Sequence, residues 1–317
     1  MRNNKSKIVV SGSLAYDQIM DFPGRFSDHI LPTEIHNLNL SFFLSNSRRS
    51  FGGTAGNIAY NLTLLQEKLI ILGVAGFDFD DYYKWLKNNG VNLNRVKIVS
   101  SDRTAAAYII TDKADNQIAA FYPGARPKDY ARSAGALKNI DLAIIAADDK
   151  QRMLGYVAAY QKNNVPYIFD PGQALIAFSP AELRRAIKGA KVLIGNDYEI
   201  KLIADKMKLP FSHLVKMVKI LIITLGAKGS IIYSAGQKII IKPAKPKNTS
   251  DPTGAGDAYR AGLIKGLIKG YNLKTCGQLA GLVAVYTVEK FGTQTHRFSL
   301  AELKKRYYQN YKERLII

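Results

Sequence analysis

Between Ser250 and Leu267 the chain reads SDPTGAGDAYRAGLIKGL, with an acid, Asp257, directly after Gly254-Ala255-Gly256 and where a helical pattern begins. Glycines at 254 and 256 allow successive N–H groups to converge on one spot, with the positive end of a helix behind them. Such a turn holds an anion, yet it is not a Walker A loop, because GxxxxGK[ST] occurs nowhere in the chain. A carboxylate would repel a resting phosphate. It becomes useful if an alcohol attacks a phosphoryl group there: Asp257 takes the hydroxyl proton while the N–H groups absorb the developing charge. The plainer reading of Asp257 is a first-turn acid favoured by the helix dipole, worth about 0.3–1 kcal/mol.

A second glycine-rich stretch, Gly52-Gly53-Thr54-Ala55-Gly56-Asn57-Ile58-Ala59, opens another helical pattern. Asn196-Asp197-Tyr198-Glu199 follows an apolar run, and its Asn and Glu also read as a capping box. Thr224-Leu225-Gly226-Ala227-Lys228-Gly229 follows another such run.

These stretches need a scaffold. Short Val- and Ile-rich runs at Ile8–Val10, Leu69–Ala75, Asp141–Ala147, Tyr167–Asp170, Val192–Gly195 and Ile220–Leu225 alternate with helical patterns such as Ala55–Leu65 and Asp80–Asn88. That order predicts βαβ units and a mostly parallel sheet covered on both faces. Ser179-Pro180-Ala181-Glu182 and Ser299-Leu300-Ala301-Glu302 read as capping boxes. Ile35–Leu44 alternates at period two, and Ala105–Phe121 reads as two strands joined by a polar turn at Asp112–Asn116. These insertions predict a small β-sheet lying over one edge of the main sheet as a lid.

The two glycine-rich signatures, GGTAGNIA and DPTGAGD, together resemble those of the ribokinase or PfkB family of carbohydrate and nucleoside kinases, and the element order extends the resemblance over nearly the whole chain. The resemblance implies one α/β kinase domain over residues 1–317: a ribokinase-like three-layer sandwich with a lid formed from about residues 18–48 and 100–124. It implies transfer of the γ-phosphoryl group of ATP to an alcohol, with Asp257 as base and Gly254, Ala255 and Gly256 as the anion hole. Gly53, Asn57 and Asp17 would hold the acceptor, Asp17 through two hydroxyls. Asn196, Thr224, Gly226 and Gly229 would lie near ATP, Glu199 near Mg²⁺ through water, and Asp251 and Thr253 at a possible K⁺ position beside the loop around Gly292. Pro252 and Ala15 depart from the family pattern; ribokinases tend to carry Asn where Ala15 stands, which argues against free ribose.

Phe42, Phe43, Phe51, Tyr108, Phe121 and Tyr122 give the lid segments aromatic faces for a nucleobase. The segment Asp115–Tyr122 also resembles archaeal and bacterial nucleoside kinases, so adenosine is the expected acceptor and a sugar the alternative, with Phe121 against the base. Arg48-Arg49 keeps a phosphosugar open, although paired loop arginines are more often surface residues. His296 could reach the ATP base, but a lone exposed histidine is the simpler expectation.

The charge is +20 over 317 residues. A nucleic-acid-binding protein on a kinase scaffold is therefore the reading from another class, yet no groove-reading motif accompanies the scattered lysines. No specific nucleic acid and no membrane is expected as a partner. The single cysteine, Cys276, and the lack of a leader-like apolar stretch at the N-terminus suit the cytoplasm. Monomer and homodimer, paired through lid edges, both remain open.

Overall fold

The computed structural model describes residues 7–30, 40–114, 116–127 and 134–317. In chain order its strands are β1 (Ile8–Ser11), β2 (Ala15–Asp21), β3 (Asn46–Gly52), β4 (Leu69–Gly76), β5 (Val96–Val99), β6 (Ala105–Thr111) and β7 (Gln117–Tyr122). They continue as β8 (Leu142–Ile145), β9 (Tyr167–Phe169), β10 (Val192–Asn196), β11 (Ile220–Thr224), β12 (Ser230–Ser234) and β13 (Gln237–Ile241). The helices are α1 (Thr54–Leu64), α2 (Asp80–Asn88), α3 (Lys150–Lys162), α4 (Pro180–Lys188), α5 (Asp197–Met207), α6 (Phe211–Met217), α7 (Ala255–Ile268), α8 (Leu273–Val288) and α9 (Leu300–Tyr311).

Nine strands form the main sheet in the order β13-β12-β11-β10-β9-β8-β1-β4-β5. Its pairs are parallel from β5 to β11, and an antiparallel hairpin, β12–β13, closes one edge. Alternate residues of each central strand feed two cores. Val10, Ile71, Ile144 and Ile194 pack with α1, α2, α7, α8 and α9; Val9, Leu72, Ile145 and Leu193 pack with α3, α4, α5 and α6. Burial on both faces explains why the strands read as continuous apolar runs, and the result is the expected three-layer α/β sandwich. The capping boxes at Ser179, Asn196 and Ser299 all close reciprocally with the glutamate three residues on.

The second sheet has four strands in the order β3-β2-β6-β7, with β2 and β6 parallel. One of its strands differs from expectation. The alternating run Ile35–Leu44 falls partly on residues 31–39, outside the described set, and its described part, 40–44, is not a strand. The polar segment NSRRSFG forms β3 instead. As an edge strand, mostly exposed, it needs no apolar alternation, and its charges guard the open edge. Arg48 and Arg49 thus lie on a strand rather than a loop: Arg48 meets Asp21 at 3.2 Å and Arg49 sits 3.8 Å from the Tyr16 ring centroid. The turn after β6 forms as expected, with Asp112 accepting the N–H groups of Ala114 and Asn116; Asp115 lies outside the described residues. No helix among the described residues is long and apolar enough to cross a membrane.

Candidate active site

The turn from Asp251 to Asp257 divides two cavities. Thr253, Gly254 and Asp257 face the first, of about 630 Å³, together with Asp17, Gly53, Asn57 and Phe121. Pro252, Ala255 and Gly256 face the second, of about 560 Å³, together with Thr224, Gly226 and Gly229. Residues far apart in sequence therefore meet on opposite sides of one helix start.

Gly254 is the N-cap of α7 in a left-handed conformation (φ 77°), which makes Asp257 the third helical residue. The amide of Ala255 donates to the Pro252 carbonyl at 3.2 Å. Those of Gly256 and Asp257 have no acceptor among the described residues, so they are the N–H groups open to an anion at the helix's positive end. The Ala255 amide, expected in the anion hole, is used by the local turn instead. Pro252 is the first residue of that turn and closes it through its carbonyl, and its missing N–H lies upstream of the open amides. Asp251 clips the turn to its neighbour: its Oδ1 accepts the Thr253 N–H at 2.9 Å and its Oδ2 the Gly292 N–H at 3.0 Å.

Asp257 lies low in the first cavity with partial solvent contact. Burial is the largest influence and raises its carboxyl from 3.8 to about 7, with Asp170 and Asp17 adding to the rise and the Asn57 amide and Arg260 opposing it. Asn57 Nδ2 donates to Asp257 Oδ2 at 2.8 Å. The Asn57 Oδ1 accepts from Gln294 Nε2 at 3.0 Å and lies 2.7 Å from Thr293 Oγ1, and the second hydrogen of its amide is left for a bound molecule. Arg260, one turn further along α7, holds Asp170 in a buried two-pronged pair at 2.8 Å through each nitrogen and donates to the Gly256 carbonyl at 3.2 Å. That pair anchors the helix start to the end of β9. Neither Arg260 nor Asp170 stood out in the sequence, because an i+3 Arg on an apolar helix carries no motif.

Asp17 is the third residue of β2, paired between Ser50 and Ala107. Its carboxylate crosses Gly52: a Cβ there would lie 2.3 Å from Asp17 Oδ2, so the first glycine of the GGTAGN stretch makes room for it. Burial, with Asp251 nearby, raises Asp17 to about 6. The third glycine, Gly56, likewise makes room for the Tyr82 hydroxyl, which a Cβ would meet at 1.9 Å.

Around the second cavity, Thr224 pairs in register with Asn196 at the sheet's end. Asn196 and Glu199 cap α5 for each other at 2.8 Å and do not line either cavity. Burial raises Glu199, with Asp170 adding to the effect. Among the described residues no three acids, histidines or cysteines gather as a metal cage. Glu199 keeps one carboxylate oxygen, Oε1, beyond the Asn196 N–H, and a Mg²⁺ held mainly by phosphates and water would ask little more of the protein. Each oxygen of Asp251 receives one N–H and retains a lone pair, so Asp251 fits a K⁺ position shared with loop carbonyls.

Two expectations fail. His296 is not exposed and does not line the second cavity: it is 1% exposed, its ring bonded to Asn61 at 2.8 Å and Thr287 at 3.3 Å, and burial lowers it to about 4. The aromatic sleeve shrinks to one ring. Phe51 stacks on Tyr82 at 4.6 Å, Phe42 packs with Phe22 and Phe26, Tyr108 projects from the opposite face of β6 to Ala107 and Ile109, and Tyr122 bonds Asp102. Only Phe121, of the rings proposed for the base, lines the first cavity. Alternation turns Tyr108 on β6 and Tyr122 on β7 away from the cavity, whereas Phe42 lies on no strand and is taken up by Phe22 and Phe26.

The sequence profile described as pfkB family carbohydrate kinase matches residues 9–298. The nucleoside kinase of Methanothermobacter thermautotrophicus is 34% identical over 283 residues, 85% of this chain and 88% of its own. The solved nucleoside kinase of Burkholderia thailandensis in complex with inosine superposes with a TM-score of 0.88 at 38% identity, covering 97% of this chain and 99% of that one. A Bacillus subtilis ribokinase is 27% identical over 252 residues, 77% of this chain and 83% of its own. The chain belongs to the pfkB family of carbohydrate kinases and phosphorylates a hydroxyl group.

Proposed function

We propose that this kinase transfers the γ-phosphoryl group of ATP to the 5′-hydroxyl of a purine nucleoside, adenosine or inosine. The observation that carries the reading is the pair of cavities meeting at the Thr253–Asp257 turn, one lined by Asp17, Asn57 and Phe121 and the other by Thr224 and Gly226. In-line transfer needs an acceptor and a phosphoryl donor on opposite sides of one anion site. The ribose hydroxyls pair with Asp17, the base lies against Phe121, and the 5′-hydroxyl reaches Asp257. Asp257 takes the hydroxyl proton as the 5′-oxygen bonds to the γ-phosphorus and the bond to the β-phosphate oxygen breaks, releasing ADP. The amides of Gly256 and Asp257 carry the charge that develops on the equatorial oxygens.

Mg²⁺, when bound, would neutralise phosphate charge; Glu199 would hold its water shell. Asp251 and Thr253 would hold K⁺ beneath the turn. Closure of the small sheet over the first cavity would exclude water from the transfer. A nucleoside is favoured over free ribose because the first cavity extends beyond Asp17 to Phe121, and because the similar Burkholderia kinase was solved with inosine and with ADP and inosine together.

The test is ADP release measured with adenosine, inosine, other nucleosides, ribose, fructose and phosphosugars. Preference for a purine nucleoside by at least tenfold in kcat/KM is expected. A free sugar or phosphosugar as best substrate would overturn the acceptor and leave the kinase standing.

A further inference from the structure

A chain of polar groups runs from α2 to the base without touching either cavity until its last members. Trp85 Nε1 lies 3.1 Å from Gln294 Oε1. Gln294 Nε2 lies 3.0 Å from Asn57 Oδ1 and 2.5 Å from the Tyr82 hydroxyl, which in turn donates to the Gly52 carbonyl at 2.8 Å. Asn57 Nδ2 ends the chain on Asp257 Oδ2 at 2.8 Å.

Proton accounting gives this chain a direction. Two carboxamides, Gln294 and Asn57, could each be turned through half a circle with almost no change of shape. An indole N–H can only donate, so it fixes Oε1 of Gln294 toward Trp85. The Gln294 NH₂ must then face Asn57, whose oxygen accepts it, and the Asn57 NH₂ must face Asp257. The Tyr82 hydroxyl fits the same polarity, accepting from Gln294 and donating to Gly52. Thr293 Oγ1 has one proton for two acceptors, Asn57 Oδ1 and the Phe51 carbonyl, so it cannot set the direction by itself.

We infer that Trp85, the chain's single tryptophan, and Gln294 are positioning residues that fix which way the Asn57 amide faces, and thereby keep a hydrogen-bond donor on the carboxylate of Asp257. This rests on the reading of Asp257 as base. Turned the other way, Asn57 presents an oxygen to Asp257, a geometry that favours the protonated acid and disables it as a proton acceptor. Gln294 lines neither cavity, and neither does Trp85, so neither acts by touching substrate. The charged groups that also face Asp257 are Arg260 on its own helix, Asp170 beyond β9 and Asp17 on β2. Trp85→Phe alters none of them, whereas Gln294→Glu adds a carboxylate of its own, so the limb of the Trp85→Phe profile carries the test.

Two variants test the polarity. Trp85→Phe keeps a ring and removes the N–H. Gln294→Glu keeps the shape and places acceptors toward Asn57, which forces the amide over while Trp85 stays. Each is assayed on whichever acceptor the wild type phosphorylates best, beside Asp257→Asn, with melting temperature and ADP affinity as controls.

For Trp85→Phe we expect kcat to fall about tenfold, the size of effect one hydrogen bond carries, with ADP affinity unchanged. The acid limb of the kcat/KM profile should move upward by about half a pH unit or more in both variants. Unchanged kcat and an unmoved limb in Trp85→Phe would overturn the inference. So would a loss of activity matching the loss of folded protein with the limb where it was. If Asp257→Asn retained wild-type turnover, the base itself would be misassigned, a failure separate from that of the positioning chain.

Discussion

Replacing Asp257 by Asn should cripple the enzyme and stabilise the fold, and the second effect should depend on pH. Burial raises the carboxyl from 3.8 to about 7, so between those values the folded protein holds a proton that the unfolded chain has released. Stability then falls as pH rises through this window, and the loss is complete above about pH 7. At about 1.36 kcal/mol for each pH unit, a rise of roughly three units sets an upper bound of about 4 kcal/mol. Asp257 keeps some solvent contact in the open cavity, which reduces this to about 1–3 kcal/mol. Asparagine retains an oxygen to accept from Asn57 and carries no charge to bury. The variant should therefore melt roughly 2–6 °C above wild type at pH 8.5, with little difference at pH 4.5. Turnover should fall by about 10²–10⁴. Scanning calorimetry at the two pH values, with ADP release assayed alongside, measures both. Equal melting-temperature differences at the two pH values would refute the burial argument, and unchanged turnover would refute the base.

Two further substitutions probe the supports of the site. In Gly52→Ala the new methyl would sit 2.3 Å from Asp17 Oδ2 and displace that carboxylate, so KM for the acceptor should rise about tenfold while KM for ATP stays within about twofold; equal rises would show that Gly52 serves the whole fold instead. Arg260→Ala should cost about 3–5 kcal/mol in urea unfolding, because it strands Asp170 in the core and removes the cation nearest Asp257, whereas a cost under about 1 kcal/mol would mean that water reaches Asp170.

The sheet was readable because burial on both faces writes itself as apolar runs, and the two glycine-rich turns because close approach demands glycine. Long-range pairing left no such trace. Asp17 occupies a strand paired to one some 90 residues later, and nothing around SGSLAYDQ shows that partner. β3 is polar because it is an edge, which is the case that alternation rules miss. His296 looked exposed in GTQTHRF because its partners, Asn61 and Thr287, come from two helices. Gln294, two residues before it, looked equally ordinary. A buried amide is recognisable only from the donors and acceptors that surround it, and those are set by the fold.

The same contrast explains how an overall charge of +20 coexists with a site built from acids. Asp17, Asp257 and Glu199 are all pushed toward their protonated forms by burial, so this region carries less negative charge than its composition suggests. Asp170 would push further but for Arg260, whose guanidinium occupies both of its oxygens. A raised carboxyl binds a proton more strongly, and positive charge arriving beside it with a nucleotide would lower it and weaken that grip. A fold that neutralised Asp257 with a nearby lysine would be more stable and would take the proton less readily. Arg260 avoids that outcome because its fork is directed to Asp170 and the Gly256 carbonyl, leaving Asp257 bonded by a neutral amide alone.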